Sequence, residues 1–241
     1  MFFFQVQELT SPPRASQVVK ECAQACMQTT YQFLYENAND LYARQFQEKI
    51  STDETGPSLK SLDFWHRLIA LLVSVIEEDK TTFPQEANIG YICATCMWTR
   101  LSEDLSVALE QHAKAKERYC KTSEYMNLCF KVKWFYKTHI AEVPEMQNQI
   151  PSYPVWFEPF VMQWLNENDE ISMDFLRNAY QRDKKDGFHR SSEHALFSNS
   201  VVDVFTQLNQ CFDIMKKLEC PDPAVNARFI NRFSHVSIFL F

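Results

Sequence analysis

Few residues of this 241-residue chain are spaced for covalent or metal chemistry. Cys93 and Cys96 form a C-x-x-C pair in "CATC", the spacing of a redox dithiol or of half a zinc site. No second pair with zinc spacing follows. The pair also falls inside an expected helix, not at the strand-to-helix start that a thioredoxin-like site needs. His189 and His194 flank Glu193, but they straddle a loop and a helix start and read as solvated side chains. "NENDE" (Asn166 to Glu170) is acidic. It lacks the alternating ligands and central glycine of an EF-hand loop and reads as a polar turn between helices. Glu77 and Glu78 fall at a helix end and are expected to face water. The chain holds no G-x-S-x-G, no H-E-x-x-H, no Walker-type loop and no G-x-G-x-x-G. No catalytic constellation and no metal set emerges, so the chain reads as non-enzymatic.

Chemistry therefore has to reside in surfaces. "SEYMNLCFKVKWFYKTHI" (Ser123 to Ile140) reads as a helix that is apolar on two sides. At about 100° per residue, Tyr125, Leu128, Cys129, Val132, Phe135, Tyr136 and Ile140 form one broad stripe. Nearly opposite lie Phe130 and Trp134, with Asn127 beside them and Lys131, Lys133 and Lys137 around them. Two readings stay open. The helix is central and covered on both sides, or Asn127, Phe130 and Trp134 line an open groove for a partner's helix. A buried Asn amide without partners is costly, whereas at a groove it can both donate and accept. A second N-x-x-F, Asn209 and Phe212, is the contrasting case. There Phe212 shares a stripe with Val201, Phe205 and Leu208 and reads as an ordinary core residue. The aromatic run "YPVWFEPFVMQW" (Tyr153 to Trp164) reads as core as well.

These residues need helices to hold them, and composition predicts little else. Hydrophobic residues make up 46% of the chain, enough for a substantial core, while glycine numbers only 3. Proteins usually carry about 7% glycine, which tight turns and phosphate loops require. The expected class is all-α. Helical spacing predicts a first helix from Ser16 to about Gln47, with Val18, Val19, Cys22, Cys26, Phe33 and Leu34 as its apolar positions. "STDETGPS" (Ser51 to Ser58) is an expected polar loop. Further helices are expected near Leu59–Glu78, Ala87–Arg118 and Thr122–Val143. "PEMQNQIPSYP" (Pro144 to Pro154) is the clearest linker. Beyond it, "VWFEPFVMQWLNEN" and "EISMDFLRNAYQRD" read as two short helices. A capping box at Ser191 or Ser192 is expected to open a helix reaching about Leu218. Asp222 is expected to cap a last helix from Pro223. The domain expectation is an extended segment over 1–15, a first bundle over 16–143, a linker over 144–154 and a truncated second bundle over 155–241. The apolar tail "SHVSIFLF" marks the chain as an expected fragment.

Net charge is −7 and only short basic clusters such as "DKKDG" occur, which argues against nucleic acid. No window of about 18 apolar residues exists, so no membrane insertion is expected. The start "MFFFQVQELT" lacks the basic region of a signal peptide. Eight cysteines spread over expected helices read as packing thiols in a reducing cytosol.

Six strings closely resemble the MUN domain of the Unc-thirteen (Munc-thirteen) priming proteins, over about Phe4 to Pro223: "LTSPPRASQVVKECAQAC", "LDFWHRLIALLVSVIEEDK", "YMNLCFKVKWFY", "YPVWFEPFVMQWLNEN", "RDKKDGFHRSSEHALFSNSVVDVFTQLNQCF" and "KKLECPDP". The resemblance includes much of the first Munc-homology region. It implies an elongated stack of helical bundles, similar to vesicle-tethering complex subunits. It also implies a role in opening syntaxin held by its Sec/Munc-eighteen chaperone, and so in SNARE assembly and synaptic-vesicle priming at the presynaptic active zone. The family's syntaxin-contacting Asn-x-x-Phe pair corresponds to Asn127 and Phe130. The C1 and C2 modules that bind diacylglycerol, calcium and phospholipid in the family are absent from this sequence, so no cofactor is expected in this chain. Two functions are weighed: an interaction module that binds syntaxin through Asn127, Phe130 and Trp134, and a helical spacer with no partner of its own.

Overall fold

The computed structural model describes residues 14–46, 61–83, 88–116, 120–190 and 192–238. Among these residues the chain is all-α, with seven α-helices and no strand. They are α1 (Arg14–Phe46), α2 (Asp63–Thr82), α3 (Ile89–Lys114), α4 (Thr122–Phe135), α5 (Tyr153–Asp186), α6 (Asn199–Leu218) and α7 (Pro223–Ile238). A π-helical turn, Tyr136–Ile140, follows α4 directly. The expected loop over Ser51–Ser58 and most of the segment 1–15 lie outside the described residues. No described helix is long and apolar enough to cross a membrane.

The chain forms two compact units. One comprises Met1–Cys120 and Phe130–Gln149, the other Lys121–Cys129 and Ile150–Phe241. In the first unit α1, α2 and α3 pack against one another. Its core takes Phe64, Trp65, Leu68, Leu72 and Ile76 from α2 and Cys93, Met97, Leu101, Leu105 and Leu109 from α3, all buried at helical spacing. From α1 it takes Tyr31, Leu34 and Ala38. The apolar positions predicted for α1 fare differently. Val18, Val19, Cys22, Cys26 and Phe33 are exposed. Two contacts set this rotation. The Tyr31 hydroxyl donates to Asp104 Oδ2 at 2.7 Å, and the Tyr35 ring meets Phe64 edge-on at 5.0 Å. An aromatic face with a satisfied hydroxyl outweighs a stripe of small thiols and valines. Burial, reinforced by Asp104, holds the Tyr31 phenol far above its ordinary range.

The second unit is built on α5, which packs against α6 and α7. Where two short helices were expected, α5 is one helix of 34 residues with Pro159 inside it. The polar run in its middle is spent on neighbours, not on a turn. Asn168 donates back to the Trp164 carbonyl at 2.7 Å. Glu167 accepts from the Thr122 hydroxyl and from Gln163. Arg232 of α7 donates to both Asn166 and Asp169. Asn166, Glu167, Asn168 and Asp169 thus find partners within or across helices.

α6 begins at Asn199, later than the expected capping box. Its cap comes from another helix. The buried Asp183 of α5 accepts from the Ser200 backbone N–H at 2.9 Å. The Ser198 and Ser200 hydroxyls, together with that N–H, hold the Asp183 carboxyl below its usual range. A carboxylate at a helix N-terminus satisfies an orphan donor and complements the helix dipole. α7 is capped as expected, by Asp222 Oδ1 accepting from Ala224 and Val225 N–H at 2.8 and 3.1 Å.

Gly90 lies where α3 meets α2. A Cβ there would sit 2.7 Å from Lys80 Cγ and 3.2 Å from Lys80 Cα. Gly90→Ala is therefore expected to destabilise by about 1–3 kcal/mol, although alanine is ordinarily the better helix former. A thermal melt of the variant checks this. An unchanged or higher midpoint would mean that α2 yields freely.

Candidate interaction surface

α4 spends one side on cores. Tyr125, Leu128 and Cys129 are buried in the second unit, where Tyr125 stacks on Phe160 with ring centroids 3.9 Å apart. Val132, Phe135, Tyr136 and Ile140 are buried in the first unit. There Trp98 of α3 meets Phe135 and Tyr136 at 6.1 and 5.0 Å. The whole stripe predicted for this helix is inside.

The opposite side of α4 faces outward. Asn127 is exposed, Phe130 is half-buried and Trp134 is 41% exposed. The three recur at i, i+3 and i+7 and so lie on one face. Lysines frame the two rings. The Lys131 ammonium lies 4.2 Å from the centre of the Trp134 ring, and Lys133 lies 5.8 Å from that of Phe130. Each contact is worth about 0.5–1 kcal/mol at an exposed site. The only carboxylate in the first turn of α4, Glu124, is engaged elsewhere, accepting from the Lys121 backbone N–H at 2.6 Å. The other N-x-x-F pair is also exposed. Phe212 is 42% exposed and Asn209 faces solvent, so the core role expected for Phe212 does not hold. α6 buries the line Ser200, Cys211, Met215 and Leu218, one residue off the expected stripe. That leaves Phe212 a ring stack on Phe233 at 5.8 Å and the Lys216 ammonium 4.6 Å from its ring centre.

The π turn supplies a residue that helical periodicity does not reveal. Its wider winding, closed by Ala141 N–H donating to the Tyr136 carbonyl at 2.9 Å, brings His139 one turn beneath Trp134. The rings meet at 5.5 Å and 80°, edge to face. His139 is buried, and its Nδ1 lies 3.1 Å from Glu77 Oε1. Neither ring nitrogen makes a hydrogen bond of good geometry. No α-helical pattern pairs positions 134 and 139, so only the wide turn could have signalled this contact.

Other sequence-level candidates do not assemble into sites. No group of three or more metal-ligating side chains occurs among the described residues. Cys93 is buried inside α3, where burial, reinforced by Asp79, pushes its thiol well above the ordinary range. A reactive thiol needs the opposite shift. No disulfide joins the eight cysteines, and Cys22 and Cys26 are surface thiols, not packing ones.

Three histidines of the first unit are held below the ordinary histidine pKa. For His139 burial dominates, Lys80 adds to it and Glu77 opposes it. For His66 burial dominates, Asp63 opposes it and Lys131 adds to it. For His112 the cause is burial. The unfolded chain takes up these protons near pH 6.5, and the folded chain only at lower pH. The stability they contribute is present above about pH 6.5 and is lost as pH falls through the folded values. The melting midpoint is therefore expected to drop between pH 7.5 and 5.5, and to drop less in His139→Asn. A wild-type midpoint that holds or rises on acidification would refute this.

The fold places the chain among all-α helical-bundle proteins. A family model described as the MUN domain matches residues 17–239; the chain belongs to the MUN-domain family. This is a family of helical protein-interaction modules associated with vesicle priming and exocytosis. An uncharacterised protein of Schizosaccharomyces pombe is 34% identical over 99 residues. That alignment covers 40% of this chain and 8% of the yeast protein, so the chain spans less than a tenth of that relative.

Proposed function

We propose that this chain is a non-enzymatic SNARE-regulatory module that engages syntaxin through Asn127, Phe130 and Trp134. One observation carries the reading. In a chain of the MUN-domain family, the face of α4 opposite its core stripe offers an exposed amide beside two accessible aromatic rings. This is the chemistry of a helix-in-groove contact. Rings supply desolvated anchors, and an amide that donates and accepts fixes register. The module acts by binding open syntaxin better than syntaxin held closed by its Sec/Munc-eighteen chaperone. Only such a difference in affinity shifts a conformational equilibrium. No cofactor on this chain is needed. Calcium, diacylglycerol and phospholipid fall to other modules, and the setting is the cytoplasmic side of the presynaptic membrane.

A second reading, a helical spacer, draws on the exposed apolar positions of α1 and α6, which further helices could cover. Titration of syntaxin into wild-type, Asn127→Ala and Phe130→Ala chains, with melts on the same samples, separates the two. The interaction reading expects Phe130→Ala to weaken binding about tenfold or more, as loss of an anchor of about 1.4–2 kcal/mol would. It expects the melting midpoint to fall little, because Phe130 is only half-buried. A wild-type chain without affinity for syntaxin, or binding and melting that decline together, favours the spacer.

A further inference from the structure

We propose that the outer face of α1 is a self-association surface. It pairs antiparallel with the same face of a second copy of this chain, and hydrogen peroxide locks the pair through Cys22 and Cys26. The inference is independent of the syntaxin reading. Val19, Cys22, Cys26, Thr29 and Phe33 repeat at alternating steps of three and four, the spacing of a coiled-coil seam. All five are exposed, Val19 by 55% and Phe33 by 63%. The face is held outward, because Tyr31 and Tyr35 fix the other side of α1 against Asp104 and Phe64. It is also prepared for burial. The Thr29 hydroxyl donates to the Ala25 carbonyl at 3.2 Å, and the Thr30 hydroxyl to that of Cys26 at 3.0 Å. Covering the face strands neither hydroxyl.

Charge and size point to a second copy. About 100° per residue places Val18, Ala23, Ala25 and Thr30 beside the seam. Lys20 and Glu21 fall on the far side, engaged with Glu145 and Gln17. In a chain of net charge −7, an uncharged strip is where two copies repel each other least. Beyond Phe33 the same face turns acidic, with Glu36 and Asp40 exposed. A parallel pair sets these carboxylates against their own counterparts. An antiparallel pair centred on Cys26 holds the two copies of Glu36 about 30 Å apart, several times the screening length of about 8 Å. It sets each Phe33 beside the smaller Val19 of the other copy, and the small flanking residues let the helices come close. Five seam residues a side fall well short of the roughly 20–30 of a stable interface, so the reduced pair is weak and depends on concentration. The reversal also brings the thiols to the middle of the contact, Cys26 at the two-fold axis and Cys22 about 6 Å along from it. Oxidation there makes the pair lasting. Two thiols, one from each copy, give their two hydrogens and two electrons to one hydrogen peroxide. The S–S bond forms, the O–O bond breaks and two waters leave.

The test uses the full 241-residue chain. Under reducing conditions, sedimentation is expected to show a monomer–dimer equilibrium. Val19→Lys/Phe33→Lys is expected to weaken it about tenfold or more and to leave the melting midpoint unchanged. Stoichiometric hydrogen peroxide is expected to give a covalent dimer on non-reducing gels, absent from Cys22→Ser/Cys26→Ser and slowed by the lysine substitutions. Direction is read on that serine background. Chains carrying Val19→Cys, mixed with chains carrying Phe33→Cys, are expected to cross-link to each other faster than either does to itself. A reduced chain that stays monomeric at about 0.1 mM overturns the proposal. So does a dimer indifferent to Val19→Lys/Phe33→Lys, cross-linking that persists without Cys22 and Cys26, or preferential linkage of like positions.

Discussion

The apolar stripe of α4 is the constraint on which the rest depends. Tyr125, Leu128 and Cys129 enter one core, and Val132, Phe135, Tyr136 and Ile140 enter the other. A straight helix has one rotation about its axis. Burying this stripe settles which residues look outward, and they are Asn127, Phe130 and Trp134. The exposure of two large aromatic side chains is a consequence of packing on the far side. Rotating α4 to hide Trp134 would draw out Val132 and Phe135, which are fully buried. Two large apolar side chains are each worth about 1.5–3 kcal/mol of burial, so the trade is unfavourable.

Polar groups in this fold join helices as well as cap them. Glu167, Asn166 and Asp169 tie α5 to Thr122 and Arg232. Asp183 caps α6 from across the unit. Arg228 reaches both carboxylate oxygens of Glu158 through two of its guanidinium nitrogens, Nε and Nη2. These contacts hold long helices in register without tight turns, which suits a chain with 3 glycines. The π turn after α4 has the complementary role. It lets consecutive pairs, Phe135 with Tyr136 and His139 with Ile140, point inward together. It also sets an imidazole edge under the outward Trp134. The outward Trp134 is thereby braced from below by a buried imidazole.

Much of this was legible in the residues. Scarce glycine and long apolar spacing implied an all-α chain. The core stripe of α4 followed from periods of three and four. The MUN-family resemblance carried by strings such as "YMNLCFKVKWFY" agrees with the family match over residues 17–239. Where the reading missed, a contact distant in sequence had decided the matter. Periodicity found apolar residues on α1, but Asp104 and Phe64 chose Tyr31 and Tyr35 as its inner side. "NENDE" has the composition of a turn, but Arg232 and Thr122 satisfy it within a helix. The serines near 191 have the form of a capping box, but the cap was Asp183.

Local sequence by itself determined the element type and the existence of two faces on α4, because helical periodicity is written in neighbouring residues. The tertiary structure alone decided which apolar stripes are covered, which polar runs are satisfied, and that His139 lies beneath Trp134. Those outcomes depend on partners supplied by other helices or by a local change of winding. A one-dimensional pattern lists the groups that seek a partner, and only the assembled chain shows which of them find one.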